Sequence, residues 1–348
     1  MRARAVIGAN FGDEGKGLVT DYLCATYGAE MVVRFNGGAQ AGHTVVTPDG
    51  DRHIFSHFGS GTLCGVPTFL SQFFVCNPIL FLKEFDELVA LGIEPTVYAH
   101  PNCLVTTFAD MIINQKIEDA RDKRHGSCGI GVNETIMRSD LLPLKITMSD
   151  LWNNISLKTR LSEICGKYAE FRCGEQIGNA EAMIVEFERR CERFASLVHP
   201  LGIAQCKGEI LFEGAQGLLL DQDNKEFFPH LTRSNTGMKN VRTLCAQAGI
   251  DDVDIYYVSR TYLTRHGAGP LPGETPTMQF DDETNTEHPY QGRLRFAPLD
   301  MDALMRRCAA DAESDNFNLV LTHCDQLPPK HNGAHLHAAG PSRLDIEP

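Results

Sequence analysis

One stretch near the start of the chain narrows the fold more than any other. The apolar run Ala5-Val6-Ile7 leads into Gly8-Ala9-Asn10-Phe11-Gly12-Asp13-Glu14-Gly15-Lys16-Gly17, and residues with helical character follow to Tyr27. A strand that ends in glycines and passes at once into a helix lets backbone N–H groups close on an anion. The positive end of the helix lies behind them. Lys16 can reach the outer phosphates of a nucleotide, with Gly12, Glu14, Gly15 and Gly17 around it. The common phosphate loop ends Gly-Lys-Ser/Thr, and its hydroxyl holds magnesium. Here Gly17 takes the hydroxyl position, so a metal needs another ligand, and Asp13 is the hard-oxygen candidate. The plain alternative is a glycine-rich turn with solvated charges.

Further short apolar runs alternate with helical segments. Met31–Phe35, Glu209–Phe212, Asp254–Val258 and Leu319–Thr322 read as strands. Residues 44–46 and 52–55, around Pro48-Asp49-Gly50, read as a hairpin. Helices are expected over Pro78–Leu91, Phe108–Lys123, Glu175–Val198 and Asp300–Ala310. The alternation predicts an α/β fold: a mostly parallel central sheet with helices on both faces, P-loop-like, in which ligands bind at the carboxyl ends of the strands. With no Pro/Ser-rich linker, residues 1–348 read as a single domain with helical and loop excursions.

Lys plus Arg is 32 against 45 Asp plus Glu, a net charge of -13. This argues against nucleic acid and anionic membranes as partners, but not against a small phosphorylated ligand held by a local set of donors. No apolar run has the length of a membrane span, and the N-terminus reads as a strand rather than a signal peptide. The 12 cysteines form no Cys-x-x-Cys pair, which points to buried reduced thiols rather than a zinc site. A cytoplasmic location is therefore expected. The histidines at 331, 335 and 337 read as a solvated tail, the 175–193 helix as a charged surface face with i,i+4 pairs, and Trp152 as core.

A second glycine-rich segment runs Arg34-Phe35-Asn36-Gly37-Gly38-Ala39-Gln40-Ala41-Gly42-His43-Thr44. It permits close approach by a ligand and holds His43 at a strand end, a place suited to a general acid.

Together the two loops resemble the adenylosuccinate synthetase family, whose signature is Gly-Asp-Glu-Gly-Lys-Gly followed by Gly-Gly-x-x-Ala-Gly-His-Thr. The similarity extends through His57-Phe58-Gly59-Ser60-Gly61, Gly126-Ser127-Cys128-Gly129-Ile130-Gly131 and Phe212-Glu213-Gly214-Ala215-Gln216-Gly217. It continues through Thr232-Arg233-Ser234-Asn235-Thr236, Gly292-Arg293-Leu294-Arg295 and Gly340-Pro341. Thr264-Arg265-His266-Gly267-Ala268-Gly269-Pro270 stands where the family has Thr-Arg-Val-Gly-Ala-Gly-Pro.

The resemblance implies a Mg2+-dependent ligase that works as a homodimer on small molecules: a purine nucleoside monophosphate, a nucleoside triphosphate and L-aspartate. The triphosphate phosphorylates O6 of a 6-oxopurine nucleotide, and the aspartate amine then displaces that phosphate. By the same resemblance Asp13 takes the N1 proton and binds magnesium beside the Gly42 carbonyl. His43 stabilises the transferring phosphoryl group, and Gln216 faces the purine edge. His323, Asp325, Gly340 and Pro341 join the nucleotide-binding set. Asn36, Gln40, Ser127, Cys128 and Thr232 meet the acceptor. Arg138 reaches the monophosphate of the neighbouring subunit, and Arg293 and Arg295 take the aspartate carboxylates. Arg265 is either an acceptor contact or a structural anchor.

Several residues depart from the family pattern. Thr322-His323-Cys324-Asp325 replaces Thr-Lys-x-Asp, so the lysine that packs on guanine is missing. Ala39-Gln40 replaces a pair ending in Asn, Ser127-Cys128 replaces Thr-Thr, and Pro289-Tyr290-Gln291-Gly292 lacks the usual threonines. These changes resemble the phage branch, which makes N6-succino-2-amino-2'-deoxyadenylate from dGMP with ATP or dATP, in the host cytoplasm if phage-encoded. Some phage members carry Ser at the Asp13 position. The alternative is adenylosuccinate synthesis from IMP and GTP. A nucleotide-dependent switch without ligase activity is the rival class, but it would have no use for the Gln216 loop or the Arg293/Arg295 pair.

Overall fold

A computed structural model describes residues 2–122, 127–282, 284–285, 292–329 and 334–347. The features read at Lys123, Gly126, Pro289-Tyr290-Gln291 and His331 lie outside the described residues.

The central strand, Arg2–Gly8, is buried from Ala3 onward and has parallel neighbours on both sides, Glu209–Gly217 and Val253–Arg260. Burial on two faces explains its apolar run Ala5-Val6-Ile7. Beyond Glu209–Gly217 the sheet continues with Met31–Arg34, Thr68–Leu70, Val97–Ala99 and Val198–Pro200. Beyond Val253–Arg260 it continues with Asn318–Thr322, Leu336–Ala338 and Ile346–Glu347. Of these ten strands only Ile346–Glu347 runs antiparallel to its neighbour.

Side chains alternate along each strand. Ala5, Ile7, Val33 and Phe212 face one core, closed by helices Met238–Ala248 and Met301–Ala312. Val6, Val32, Leu211 and Val258 face the other, closed by Val19 and Leu23 of helix Lys16–Tyr27. A third core, rich in phenylalanine, gathers Phe58, Phe81, Phe108, Phe187 and Phe194 under helices Pro78–Ala90, Phe108–Asp119 and Ala180–Leu197. Helix starts follow their caps. Asn77 accepts from the N–H groups of Ile79 and Leu80 ahead of Pro78, and Asp300 accepts from Ala303. Among the described residues no helix is long and apolar enough to cross a membrane.

The hairpin forms as expected, with His43–Val46 pairing antiparallel to Arg52–Phe55. Trp152 packs against the third core and donates to the Val198 carbonyl. Other expectations need correction. The long helix begins at Ala180 rather than Glu175, because Asn179 is left-handed. The strand expected over Glu209–Phe212 runs on to Gly217 and carries the glycine motif with it. The histidine-rich tail is not simply solvated. The His335 N–H donates to the Leu319 carbonyl, Leu319 N–H donates back to His335 Nδ1, and Leu336–Ala338 joins the sheet.

Candidate active site

The parallel strands place five chemistry-bearing segments at their carboxyl ends: the loop after Gly8, the loop after Arg34, the end of Glu209–Gly217, and the residues after Arg260 and after Thr322. The first loop is tightly packed. A Cβ on Gly8 would lie 2.2 Å from Glu14 Oε2 and 2.3 Å from the Gln216 carbonyl oxygen. A Cβ on Gly17 would lie 2.8 Å from the Thr44 carbonyl oxygen. The helix start therefore rests directly on the His43–Thr44 backbone, which accounts for glycine where a phosphate loop has a hydroxyl.

Lys16 is buried with its Nζ 3.8 Å from Glu14 Oε2. Burial raises the Glu14 carboxyl to about 7, against the opposing pull of Lys16. Gly15 adopts φ 87 and caps the helix, leaving its first N–H groups to the cradle.

Asp13 has a left-handed backbone, φ 57. Its carbonyl accepts from Arg260 Nε, and Arg260 in turn pairs with Asp282 at 2.7 Å. His266 Nδ1 lies 3.0 Å from Asp13 Oδ2, and about a third (34%) of the Asp13 side chain stays accessible. Burial works to raise the Asp13 carboxyl, but the His266 bond and charge, with Arg260 and Lys16, outweigh it and hold the group below its ordinary value. Asp13 is thus ionised and open to a ligand.

His43 is anchored from behind. Its Nδ1 donates to Glu213 Oε1 at 2.6 Å, while its buried Nε2 has no protein partner. Glu213 is wholly buried; it also accepts from the Ser60 N–H at 3.0 Å and from the Ser60 hydroxyl, with Arg34 Nε 4.0 Å away. Burial pushes the Glu213 carboxyl up, but His43, Arg34 and Ser60 prevail and bring it to about 2. Burial lowers the His43 imidazole more than Glu213 raises it, so the free site holds a neutral ring. The charge of Lys16 acts on both Asp13 and His43, which puts all three in one electrostatic neighbourhood.

The other expected residues fall into two groups. Some are exposed or keep an unpartnered polar atom, and others are already bonded. Gln216, at φ 63, overhangs Gly12, with its Cα 3.3 Å from where a Cβ there would stand. The buried Gln40 Oε1 has no partner. Gly42, Asp325 and Pro341 are exposed, and Thr232, Cys128 and Gly340 half-buried. Ser127 shares hydrogen bonds with Asn114. His323, at φ 58, sits 6.0 Å from the Tyr262 ring, and burial with Arg260 nearby lowers it to about 3. Arg293 is exposed. Arg295 Nη2 donates to the Gly267 and Gly269 carbonyls, and Nη1 pairs with Glu274 at 2.8 Å.

Two expectations are corrected. Arg138 does not reach outward to a neighbouring subunit. Its guanidinium is fully buried, pairs with Asp110 at 2.9 Å, and donates to the carbonyls of Leu144 and Val105. Asn36 spends both ends of its amide on the Ala215 backbone, at 2.9 and 2.7 Å, and splices two loops rather than meeting the acceptor. Of the two readings left open for Arg265, its contacts match the structural anchor. It donates to the Pro270 and His230 carbonyls and lies 4.6 Å over the Phe11 ring.

The residues that sequence reasoning passed over are Glu213, Ser60, Arg260 and His266. A glutamate inside an apolar strand was the available signal for Glu213, since an unpaired buried carboxylate is costly. For His266 it was the histidine standing where the resembled motif has valine.

Among the described residues no group of three or more His, Cys, Asp or Glu could hold a metal ion. The chemistry of a single carboxylate beside a phosphate cradle nonetheless suits magnesium, which takes one or two carboxylates together with substrate phosphates. The partly open Asp13 and the exposed Gly42 loop fit that donor set.

An adenylosuccinate synthetase family model matches residues 5–328. The adenylosuccinate synthetase of Pseudomonas fluorescens (strain Pf0-1) is 31% identical over 344 residues, spanning 92% of this chain and 77% of that protein. The Desulfatibacillum aliphaticivorans protein of the same name is 31% identical over 287 residues, or 77% of this chain and 64% of that protein. The chain thus spans about two thirds to three quarters of these relatives' length. Among solved structures, the fully ligated adenylosuccinate synthetase of Plasmodium falciparum has a TM-score of 0.75 at 21% identity, covering 94% of this chain and 77% of that one. Cyanophage S-2L succinoaminodeoxyadenylate synthetase (PurZ), solved with dGMP and dATP, has a TM-score of 0.70 at 16% identity, covering 99% and 95%. At these identities the structures share the fold. With the family model spanning nearly the whole sheet and both glycine-rich loops, the chain belongs to the adenylosuccinate synthetase family.

Proposed function

We propose that the chain joins L-aspartate to C6 of a 6-oxopurine nucleoside monophosphate, with dGMP as acceptor and ATP or dATP as donor. The observation that carries the ligase chemistry is the pairing of an ionised, accessible Asp13 with a His43 whose free Nε2 is aimed by a buried carboxylate. Asp13 takes the proton from purine N1, and the electron pair released moves to O6, which attacks the γ-phosphorus and expels the nucleoside diphosphate. Lys16 and the backbone of Gly15 and Gly17 hold the phosphates. A triphosphate arriving at His43 Nε2 adds its negative charge to that of Glu213, which favours the imidazolium as charge builds on the phosphoryl oxygens. The aspartate amine then attacks C6 and phosphate leaves. Arg293 and Arg295 are the proposed carboxylate partners of aspartate; Arg295 must release Glu274 to serve. Magnesium, when bound, neutralises phosphate charge.

Substrate choice rests on His323. A neutral ring beside Tyr262, in place of a lysine cation, supports an adenine nucleotide over a guanine nucleotide as donor. The unpartnered Gln40 Oε1 supports an acceptor with one more N–H donor than hypoxanthine, and the 2-amino group of guanine is such a donor. The second reading, IMP with GTP, is favoured by the retained Asp13 and Asp325. Assembly as a homodimer belongs to the same proposal and is read by sedimentation. The deciding experiment is an acceptor panel of IMP, GMP and dGMP against ATP, dATP and GTP, with aspartate present and product mass recorded. Phosphate release indifferent to aspartate would instead indicate a nucleotide switch.

A further inference from the structure

We propose that His266 is a positioning residue that fixes the Asp13 carboxylate for proton abstraction; the inference rests on the reading of Asp13 as the base. Among the described residues, the one side-chain hydrogen bond to that carboxylate comes from His266 Nδ1, 3.0 Å from Oδ2. Arg260 holds only the Asp13 main chain, through the carbonyl. Without the imidazole the carboxylate could turn about its side-chain torsions. With it, one oxygen is tethered and the other is left to the cleft. Proton transfer depends on that alignment, because a misplacement of about 1 Å can cost about a hundredfold in rate.

His266 is itself held in place. It follows the strand Tyr262–Arg265, which pairs antiparallel with Arg295–Pro298, and its side chain is 14% accessible. The turn after it is pinned where Arg295 Nη2 donates to the Gly267 and Gly269 carbonyls, each at 2.8 Å. The proposed aspartate-binding arginine and the tether of the base therefore share one turn. Nδ1 faces the carboxylate, and among the described residues the buried Nε2 is left without a protein partner. The valine of the resembled motif could make none of these bonds, so the tether is a property of this chain's own sequence.

The test compares His266→Val with His266→Asn, whose side-chain amide keeps a donor near the Nδ1 position. Expected is a fall in kcat of about 10- to 100-fold for His266→Val with KM for triphosphate and aspartate little changed, and recovery of most of it in His266→Asn. Adding His266→Val to Asp13→Asn should cost nothing further, since the tether then has nothing to aim. An unchanged kcat, equal defects in the two variants, or multiplying losses in the double variant would overturn the proposal. Full activity in Asp13→Asn alone would instead overturn the reading of Asp13 as base. Crystal structures of the wild type and both variants supply an activity-independent readout. An Asp13 carboxylate that keeps its rotamer without the imidazole overturns the tether, and one that swings free supports it even if no acceptor is turned over. Should His266→Val fail to fold, His266→Ala and His266→Asn carry the same comparison.

Discussion

His43 Nδ1 donates to Glu213 Oε1 across 2.6 Å, and Glu213 has no exposure to solvent. The carboxylate therefore sets both the ring orientation and the tautomer, and Nε2 is left without a protein partner among the described residues. Glu213→Gln leaves the volume nearly unchanged but removes the charge that favours an imidazolium. The expected result is a fall in kcat of about 10²-fold or more, the scale of a lost general acid, with triphosphate KM much less affected. An unchanged kcat in steady-state assays would remove the pair from the mechanism.

The same pair makes stability depend on pH in one direction. The folded Glu213 pKa, about 2, lies below the ordinary carboxyl value, so on acidification the unfolded chain takes up the proton first. Its contribution is fully present above about pH 4.5 and is lost as the pH falls toward the folded value. Thermal unfolding followed from pH 6 downward should show Tm falling through that window in the wild type. Glu213→Gln should show a flatter profile, starting from a lower Tm.

Gly17 supplies a test of the cradle. A hydroxymethyl group there would meet the Thr44 carbonyl oxygen at 2.8 Å, and backbone cannot yield as a flexible side chain can. Gly17→Ser restores the phosphate-loop consensus yet should destabilise the fold by about 1–3 kcal/mol, the usual range for overpacking. It should also weaken triphosphate binding measured by calorimetry. A variant with normal Tm and tighter binding would show that the missing hydroxyl, and not close packing, explains the glycine.

Much of this site was legible because its signals are local. Strand, glycines, lysine and helix follow one another over residues 5–27, and the turn chemistry leaves few alternatives. Glu213 was harder to read. Its partners, His43 and Ser60, are 170 and 153 residues away, and only the sheet order Met31–Arg34 beside Glu209–Gly217 brings them together. Arg138 failed for the converse reason. Its expected role rests on the resemblance alone, and nothing local reveals that Asp110, 28 positions earlier, draws it into the core.

That buried pair separates a structural role from a binding one. Removing one partner of a fully buried ion pair strands the other, at a cost of about 3–5 kcal/mol. Arg138→Ala should therefore lower stability in denaturant titrations by that order. Arg138→Met with Asp110→Leu should recover part of the loss and leave the acceptor KM near wild type. A selective rise in acceptor KM with stability unchanged would return Arg138 to the phosphate site.

The proposed donor preference turns on a single side chain. His323 is held at φ 58 beside Tyr262, which stacks on Phe280 with centroids 4.0 Å apart, so the proposed base-binding side of Thr322 presents aromatic rings rather than a cation. Asp325, exposed two residues on, is free to accept from a base N–H. If the neutral ring is what disfavours guanine, ATP or dATP should support turnover at least as well as GTP. His323→Lys should then raise kcat/KM for GTP relative to ATP, by about tenfold if the added contact is worth ~1.4 kcal/mol. Competition between the two triphosphates, with product mass recorded, measures the ratio directly. A wild-type enzyme that already prefers GTP would show that Asp325 alone reads the base, and the case for an adenine nucleotide built on His323 would fall with it.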